Sequence, residues 1–268
     1  MSLKATALRS GSSGNLFLFE KDQTRVVIDC GVNGKTFASA LMQAEVPEEE
    51  TSQIQGILIT HEHSDHISGL GVVMRRYKLP VYMTRKTMEA VLPSLGKVDL
   101  NLIHLVHPGE SFALGDLEVK AFRIPHDAAD PVGYSITDGK KKVSLCTDLG
   151  EASPAIRAEL EGSQLVFLES NYEPDLLAAG PYPYYLKERI RGGKGHLSNH
   201  ESAELAMDLV KQGTERLVLS HLSRENNYPA MAELVVKGRL SQEGAEADRD
   251  YKLEVAQRFS NSGKHVLD

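Results

Sequence analysis

The six residues His61-Glu62-His63-Ser64-Asp65-His66 constrain this chain more than any other segment. They follow the apolar run Ile57-Leu58-Ile59-Thr60 directly, so three imidazoles and an acid emerge from the end of what reads as a buried strand. Burying polar groups of this kind without compensation costs about 2 kcal/mol or more each, and a bound cation is the simplest compensation. On an extended loop, residues two apart point to the same side. His61 and His63 can therefore reach one ion, while Asp65 and His66 turn toward a second. Neutral imidazole and carboxylate suit zinc, manganese or iron. Asp65 has another reading: it opens the helix expected from Ile67, where its side chain can cap exposed backbone N–H groups.

Around this run the chain alternates apolar β-branched stretches with amphipathic ones. Arg25-Val26-Val27-Ile28-Asp29, Ile57 to Thr60, Val143 to Thr147, Gln164 to Leu168 and Arg216 to Ser220 read as buried strands. Helices are expected over Thr36 to Ala44, Ile67 to Tyr77, Thr84 to Leu92, Ser198 to Lys211 and Ala230 to Leu240. Gly115-Asp116 and Asp138-Gly139 are hairpin turns in a strand-rich middle section. With no repeat, long linker or low-complexity block, residues 1–268 are expected to form a single layered α/β domain. No window approaches the about 18 apolar residues that a membrane span needs, and the opening residues lack a signal-peptide pattern, so a cytoplasmic protein without membrane association is expected. Cys30 and Cys146 each sit beside an apolar run and read as small core residues in a reducing compartment. The net charge of −7 means that any nucleic-acid partner must be held by a local basic patch or by bound cations.

Further ligand-type residues stand where strands end. His126 lies in Ile124-Pro125-His126-Asp127, Asp148 in Cys146-Thr147-Asp148-Leu149-Gly150, and His221 in Leu219-Ser220-His221-Leu222. Open α/β sheets gather their sites at the carboxyl ends of strands, so these three join the histidine run as candidates for one site.

The pattern HxHxDH after a strand, followed by a later His, an Asp and a His, resembles the metallo-β-lactamase superfamily. Ser10-Gly11-Ser12-Ser13-Gly14-Asn15, Pro125-His126-Asp127-Ala128, Glu169-Ser170-Asn171, Gly180-Pro181-Tyr182-Pro183, Gly195-His196-Leu197-Ser198-Asn199 and Ser220-His221-Leu222-Ser223 narrow the resemblance to its bacterial YycJ/WalJ group. It implies an αββα four-layer sandwich, two β-sheets flanked by helices, with a dinuclear metal site. It also implies a DNA exonuclease acting from the 5′ end. Carried over position by position, His61, His63 and His126 would bind the first metal, and Asp65, His66 and His221 the second, with Asp148 bridging. Asp29 matches an early aspartate that orients the histidine loop without touching metal. Tyr172 stands where some members of the group carry a histidine, which leaves that position without an assigned role.

Two divalent ions can activate a water and clamp the oxygens of an in-line displacement, which suits phosphodiester hydrolysis. Asp65, Asp148 and His196 are the expected catalytic residues, with His196 protonating the leaving oxygen. Its glycine-rich turn precedes the helix from Ser198, where backbone donors also favour a phosphate; packing or capping beside that helix is its other reading. Ser12, Ser13, Asn15 and Asn171 offer polar groups to a substrate, and Lys187, Arg189 and Arg191 offer positive charge that could track a nucleic-acid backbone. A Ser/Gly turn needs no ligand, and a charge run can be plain solvated surface. No motif for reading bases is visible, so DNA would be bound without sequence specificity. Two other functions fit the same residues: a small-molecule hydrolase acting on an ester, thioester or cyclic phosphodiester, and a non-catalytic metal-binding regulatory module.

Overall fold

The computed structural model describes residues 2–268, and the chain divides into two compact units. The first comprises residues up to 123 together with 128–141 and 257–268; the second comprises 124–127 and 142–256.

The first unit is built on a mixed sheet. Its strands are β1 (Leu3–Arg9), β2 (Leu16–Lys21), β3 (Thr24–Ile28), β4 (Gly56–Leu58), β5 (Val81–Met83) and β6 (Ile103–Leu105), with the C-terminal strand β14 (His265–Leu267) beside β1. From β14 to β3 the pairing is antiparallel; from β3 to β6 it is parallel. A parallel set covered on both faces requires unbroken apolar runs, and β4 is buried at every position. Helices α1 (Gly34–Gln43), α2 (Glu48–Thr51), α3 (Ser64–Ile67), α4 (Leu70–Tyr77) and α5 (Arg85–Leu95) belong to this unit. α1 starts on Asn33, whose side chain accepts from Thr36 N–H, and buries Phe37, Ala40 and Leu41. α4 buries Leu70, Val73, Met74 and Tyr77 in the same core as Val27, Ile57 and Ile59. Each such large side chain contributes about 1.5–3 kcal/mol by leaving water. Antiparallel strands β7 (Ser111–Leu114), β8 (Leu117–Arg123) and β9 (Val132–Thr137) follow. Leu114 pairs with Leu117 across the turn, so Gly115-Asp116 makes the expected hairpin, with Gly115 at φ 57°.

The second unit carries four parallel strands in the order β13-β12-β11-β10: β10 (Lys142–Cys146), β11 (Leu165–Glu169), β12 (Arg216–Ser220) and β13 (Lys252–Val255). β11 is buried throughout, while β13 alternates between exposed and half-buried positions. Helices α6 (Pro154–Leu160), α7 (Pro174–Ala179), α8 (Tyr184–Arg191), α9 (Asn199–Lys211) and α10 (Pro229–Gln242) complete it. α9 begins with a reciprocal cap in which Ser198 accepts from Glu201 N–H and Glu201 accepts from Ser198 N–H.

One expected helix is divided. The segment Ile67 to Tyr77 does not form a single helix; α3 and α4 are separated at Ser68 and Gly69. Gly69 donates to Cys30 O at 2.9 Å and Cys30 donates to His66 O at 2.8 Å, so the backbone after β3 wedges into the break. A Cβ on Gly69 would lie 1.8 Å from Val32 O, and only glycine permits this approach. Cys30 and Cys146 are both buried and unbridged. Among the described residues, no helix is long and apolar enough to cross a membrane.

The Asp138-Gly139 turn is tied back to the first sheet. Lys21 donates to Asp138 Oδ2 at 2.8 Å, and the backbone N–H groups of Lys140 and Lys141 donate to Asp138 Oδ1. Burial alone would raise this carboxyl, but the donors outweigh it and hold its pKa at about 2. A depressed folded-state pKa stabilises the fold above the unfolded value of about 4, and that contribution is lost as pH falls through the folded value. Between about pH 4 and pH 2 the wild type should lose about 1 kcal/mol more than Asp138→Asn, after allowance for solvent screening. Melting temperatures of the two proteins across that window provide the check; parallel curves would contradict the assignment.

Candidate metal centre

In the first unit the chemistry starts from Asp29, directly after β3 and fully buried. It accepts from Thr60 N–H at 2.9 Å, from Thr60 Oγ1 at 3.0 Å and from His66 Nδ1 at 2.7 Å. Burial pushes its carboxyl upward, and these donors oppose the shift. Proton counting then assigns the imidazoles. The single hydroxyl proton of Thr60 goes to Asp29, so the 3.0 Å contact between Thr60 Oγ1 and His61 Nδ1 needs the proton on His61 Nδ1. His66 likewise gives its Nδ1 proton to Asp29. With each ring neutral, Nε2 keeps the lone pair, the state required of a metal ligand whose other nitrogen is held by a carboxylate or hydroxyl.

The histidine loop itself is compact. Ring centroids of His61 and His66 lie 4.1 Å apart, and those of His61 and His63 lie 4.6 Å apart. Asp65 approaches His66 Nε2 at 3.6 Å. The residue at the N-cap of α3 is His63, with no side-chain capping bond, so Asp65 does not take the N-cap position that its capping reading assigns. Asn15 lies buried beneath the loop rather than presented to solvent. Its amide is 3.1 Å from His66 Nε2 and 3.3 Å from Asp65 O, and its own N–H donates to Asp65 O at 2.8 Å. A Cβ on Gly31 would fall 1.6 Å from Asp65 O, so the backbone after β3 fixes the loop from below.

The second unit gathers Asp148, Glu169, His196 and His221, each offering a ligand-type atom within 4.8 Å of the others. His126 Nε2 lies 3.5 Å from Asp148 Oδ1. Its Nδ1 is 3.0 Å from the Gly195 carbonyl, which can only accept, so Nδ1 holds the proton and Nε2 the lone pair. Asp127 beside it is paired with Arg189 of α8, Nη2 to Oδ1 at 3.1 Å.

Glu169, at the end of β11 and completely buried, organises this group, and sequence reasoning assigned it no role. Its Oε1 faces Nδ1 of His221 at 2.8 Å and Nδ1 of His196 at 2.9 Å. The backbone N–H groups of Asp148, Leu149 and Leu197 also donate to it. Burial would raise its carboxyl, yet the attraction of His196 and the imidazole donors bring it below the ordinary value. The same pairing raises His196 against the lowering effect of burial. The signal that could have found Glu169 is an acid closing an otherwise apolar strand, the position that Asp29 also holds just after β3.

Three of these residues carry left-handed backbone: Asp29 at φ 61°, Asp148 at 58° and His221 at 56°. A non-glycine residue in this region costs about 1 kcal/mol or more, and such strain concentrates at functional sites. It turns each side chain sharply where its strand stops.

The remaining expected residues divide by environment. Asn171 is buried and donates to His221 O at 2.8 Å, so it steadies a ligand-type residue. Ser12 and Ser13 are exposed, with Arg258 within 3.4 and 3.3 Å. Lys187 reaches Ala178 O at 2.6 Å, and Arg191 pairs with Glu188. Tyr172 is buried against Leu177 and Ile190, and burial pushes its phenol up to about 12.

The donor chemistry of both groups, imidazole nitrogens beside carboxylates, fits divalent metal ions of the zinc, manganese or iron kind. Together with the two α/β units it defines the class of the metallo-β-lactamase fold. The chain belongs to the beta-lactamase superfamily, whose domain description matches residues 24–222, and is a metal-dependent hydrolase. It is 35% identical over 244 residues to the exodeoxyribonuclease YycJ of Bacillus anthracis, covering 91% of each chain. It is also 35% identical over 252 residues to the exodeoxyribonuclease WalJ of Streptococcus pneumoniae, covering 93% of each. The solved structure of the metallo-β-lactamase fold protein YhfI from Bacillus subtilis superposes with a TM-score of 0.73 at 17% identity, over 98% of this chain and 99% of that one.

Glu169→Gln removes an acceptor that holds two imidazole tautomers. Metal affinity of the purified protein should fall about 10- to 100-fold, with secondary structure unchanged by circular dichroism. Calorimetric titration with zinc and manganese measures this, and wild-type affinity in the variant would show that Glu169 does not set the imidazoles.

Proposed function

We propose that this chain is a metal-dependent exodeoxyribonuclease that removes nucleotides from the 5′ end of DNA, with two divalent ions in its site. The observation that carries the reading is likeness along more than nine-tenths of the chain to two exodeoxyribonucleases, in a protein whose histidines are held in ligand-ready tautomers. His61, His63 and His126 would hold one ion and Asp65, His66 and His221 the other, with Asp148 shared. Bound divalent ions supply a lowered pKa for water and positive charge beside a phosphoryl oxygen.

The protein's own groups then perform the remaining tasks. Asp29 and Thr60 keep His61 and His66 in register, and Glu169 does the same for His221. Asp65 and Asp148 accept hydrogen bonds from the attacking water and orient it toward phosphorus. As water oxygen adds to phosphorus, the bond to the leaving sugar oxygen breaks, and that oxygen needs a proton. His196, anchored through Nδ1 to Glu169 and partly exposed, presents Nε2 to supply it. Lys187, Arg189 and Arg191 carry positive charge on α8, where they would attract the DNA backbone without reading bases.

The test is hydrolysis of 5′-labelled single- and double-stranded DNA, with matching RNA strands, after chelation and readdition of each metal. The expected result is release of labelled 5′ mononucleotides, two ions per chain by elemental analysis, and loss of more than about a hundredfold in rate for His61→Ala, a larger effect than removal of an orienting residue. Turnover of small esters or thioesters with DNA left intact would overturn the nuclease reading. Metal binding without any hydrolysis would overturn the enzymatic one.

A further inference from the structure

In the first unit a cleft of about 680 Å³ opens beside the Ser10–Asn15 loop and the start of α1. Three cations line it: Arg9, Lys35 and Arg258. No carboxylate is among its lining residues. Arg9 is only 6% exposed, and its hydrogen bonds go to two neutral oxygens, Leu8 O and, at 2.7 Å, Asn261 Oδ1. A guanidinium this deep with no carboxylate partner is an unfavourable arrangement, and an anion in the cleft would relieve it. Lys35 is exposed and makes no ion pair among the described residues. The hydroxyl of Ser13, 3.3 Å from Arg258 Nη1, adds a further polar group.

The second feature is aromatic. Phe259 lines the same cleft with 72% of its surface exposed. A bare phenyl beside an anion-seeking pocket matches what a nucleotide requires, with phosphate on the cations and base against the ring. The cleft also shares backbone with the metal loop. Gly31 and Ser68 line it, Gly31 donates to Asn15 O, and Asn15 donates to Asp65 O.

We propose that this cleft is a strand-docking subsite: it holds one nucleotide of a single DNA strand, with its backbone phosphate on Arg9, Lys35 and Arg258 and its base stacked on Phe259. It rests on the nuclease reading and adds to it a place outside the ligand sets where the substrate is gripped. The metals and their ligands take no part in this binding.

The experiment uses the metal-loaded full chain and a fluorescein-labelled twelve-nucleotide thymidine strand with a phosphorothioate backbone, which resists hydrolysis. Binding is followed by anisotropy across a salt series. Phe259→Ala should weaken binding about five- to a hundredfold, the effect of losing one stacked base. Lys35→Glu should weaken it and make the logarithmic salt dependence shallower by about 0.7, the effect of losing one phosphate contact on a single strand. Both positions are exposed, so the test does not depend on how the buried Arg9→Met variant folds. Lys86→Glu, the same charge change on α5 away from the cleft, should bind as wild type. Wild-type binding by both Phe259→Ala and Lys35→Glu would overturn the proposal, as would equal weakening by Lys86→Glu or displacement of the strand by micromolar thymidine monophosphate. DNA cleavage by wild type together with unaffected binding in the variants sinks this subsite alone. Weakened binding in the variants without any DNA cleavage leaves the subsite standing and removes the nuclease reading.

Discussion

The structure turns on carboxylates buried where water cannot reach them. Asp29 and Glu169 persist in that setting because donors surround each one, and the donors include the Nδ1 atoms of the histidines that matter. The dependence runs both ways. Without the imidazole protons these acids would keep only their backbone and hydroxyl donors, and without the acids His66, His196 and His221 would lose the acceptor that fixes Nδ1. An imidazole whose Nδ1 proton is already committed can meet a cation with its lone pair and no rearrangement. The acids thus set the readiness of the site before any metal arrives.

This arrangement explains why the parallel strands matter more than the antiparallel ones. β3, β10, β11 and β12 each end at or next to a ligand-type or anchoring residue, and three of those residues adopt left-handed backbone. The strain is affordable because the strands behind them are almost wholly buried and cannot relax. Glycine supplies the complementary freedom. In the backbone after β3, Gly31 packs against Asp65 O and Val32 O against Gly69, so closely that neither glycine could carry a Cβ.

Much of this was legible in the residues. The histidine run, Asp29, Asp148 and His221 all stand at strand ends that apolar periodicity locates to within a residue or two. Glu169 closes β11 as the last residue of the strand itself, so it reads as part of the word Glu169-Ser170-Asn171 and not as a buried acid in need of donors. The division between α3 and α4 was invisible for a different reason: the wedge comes from residues near position 30, and no local pattern around Ile67 records it. β13 and β14 were not anticipated either. β13 alternates exposed and half-buried positions at a sheet edge, and β14 is three residues long, so neither carries the apolar run that marks a strand. Asn15 and Asn171, read from residue type as groups for a substrate, both lie buried, against the ring of His66 and the backbone of His221.

The two cysteines carry a consequence of their own. Cys30 follows Asp29 directly and Cys146 precedes Asp148 by two positions, yet burial pushes both thiols far above the range in which a thiolate forms. A thiol that stays protonated is a poor nucleophile and a poor ligand for soft ions. In each unit, therefore, a protonated sulfur stands within two residues of a buried acid without adding a thiolate beside it. With both thiols fully buried, the described residues offer no exposed cysteine to an alkylating reagent.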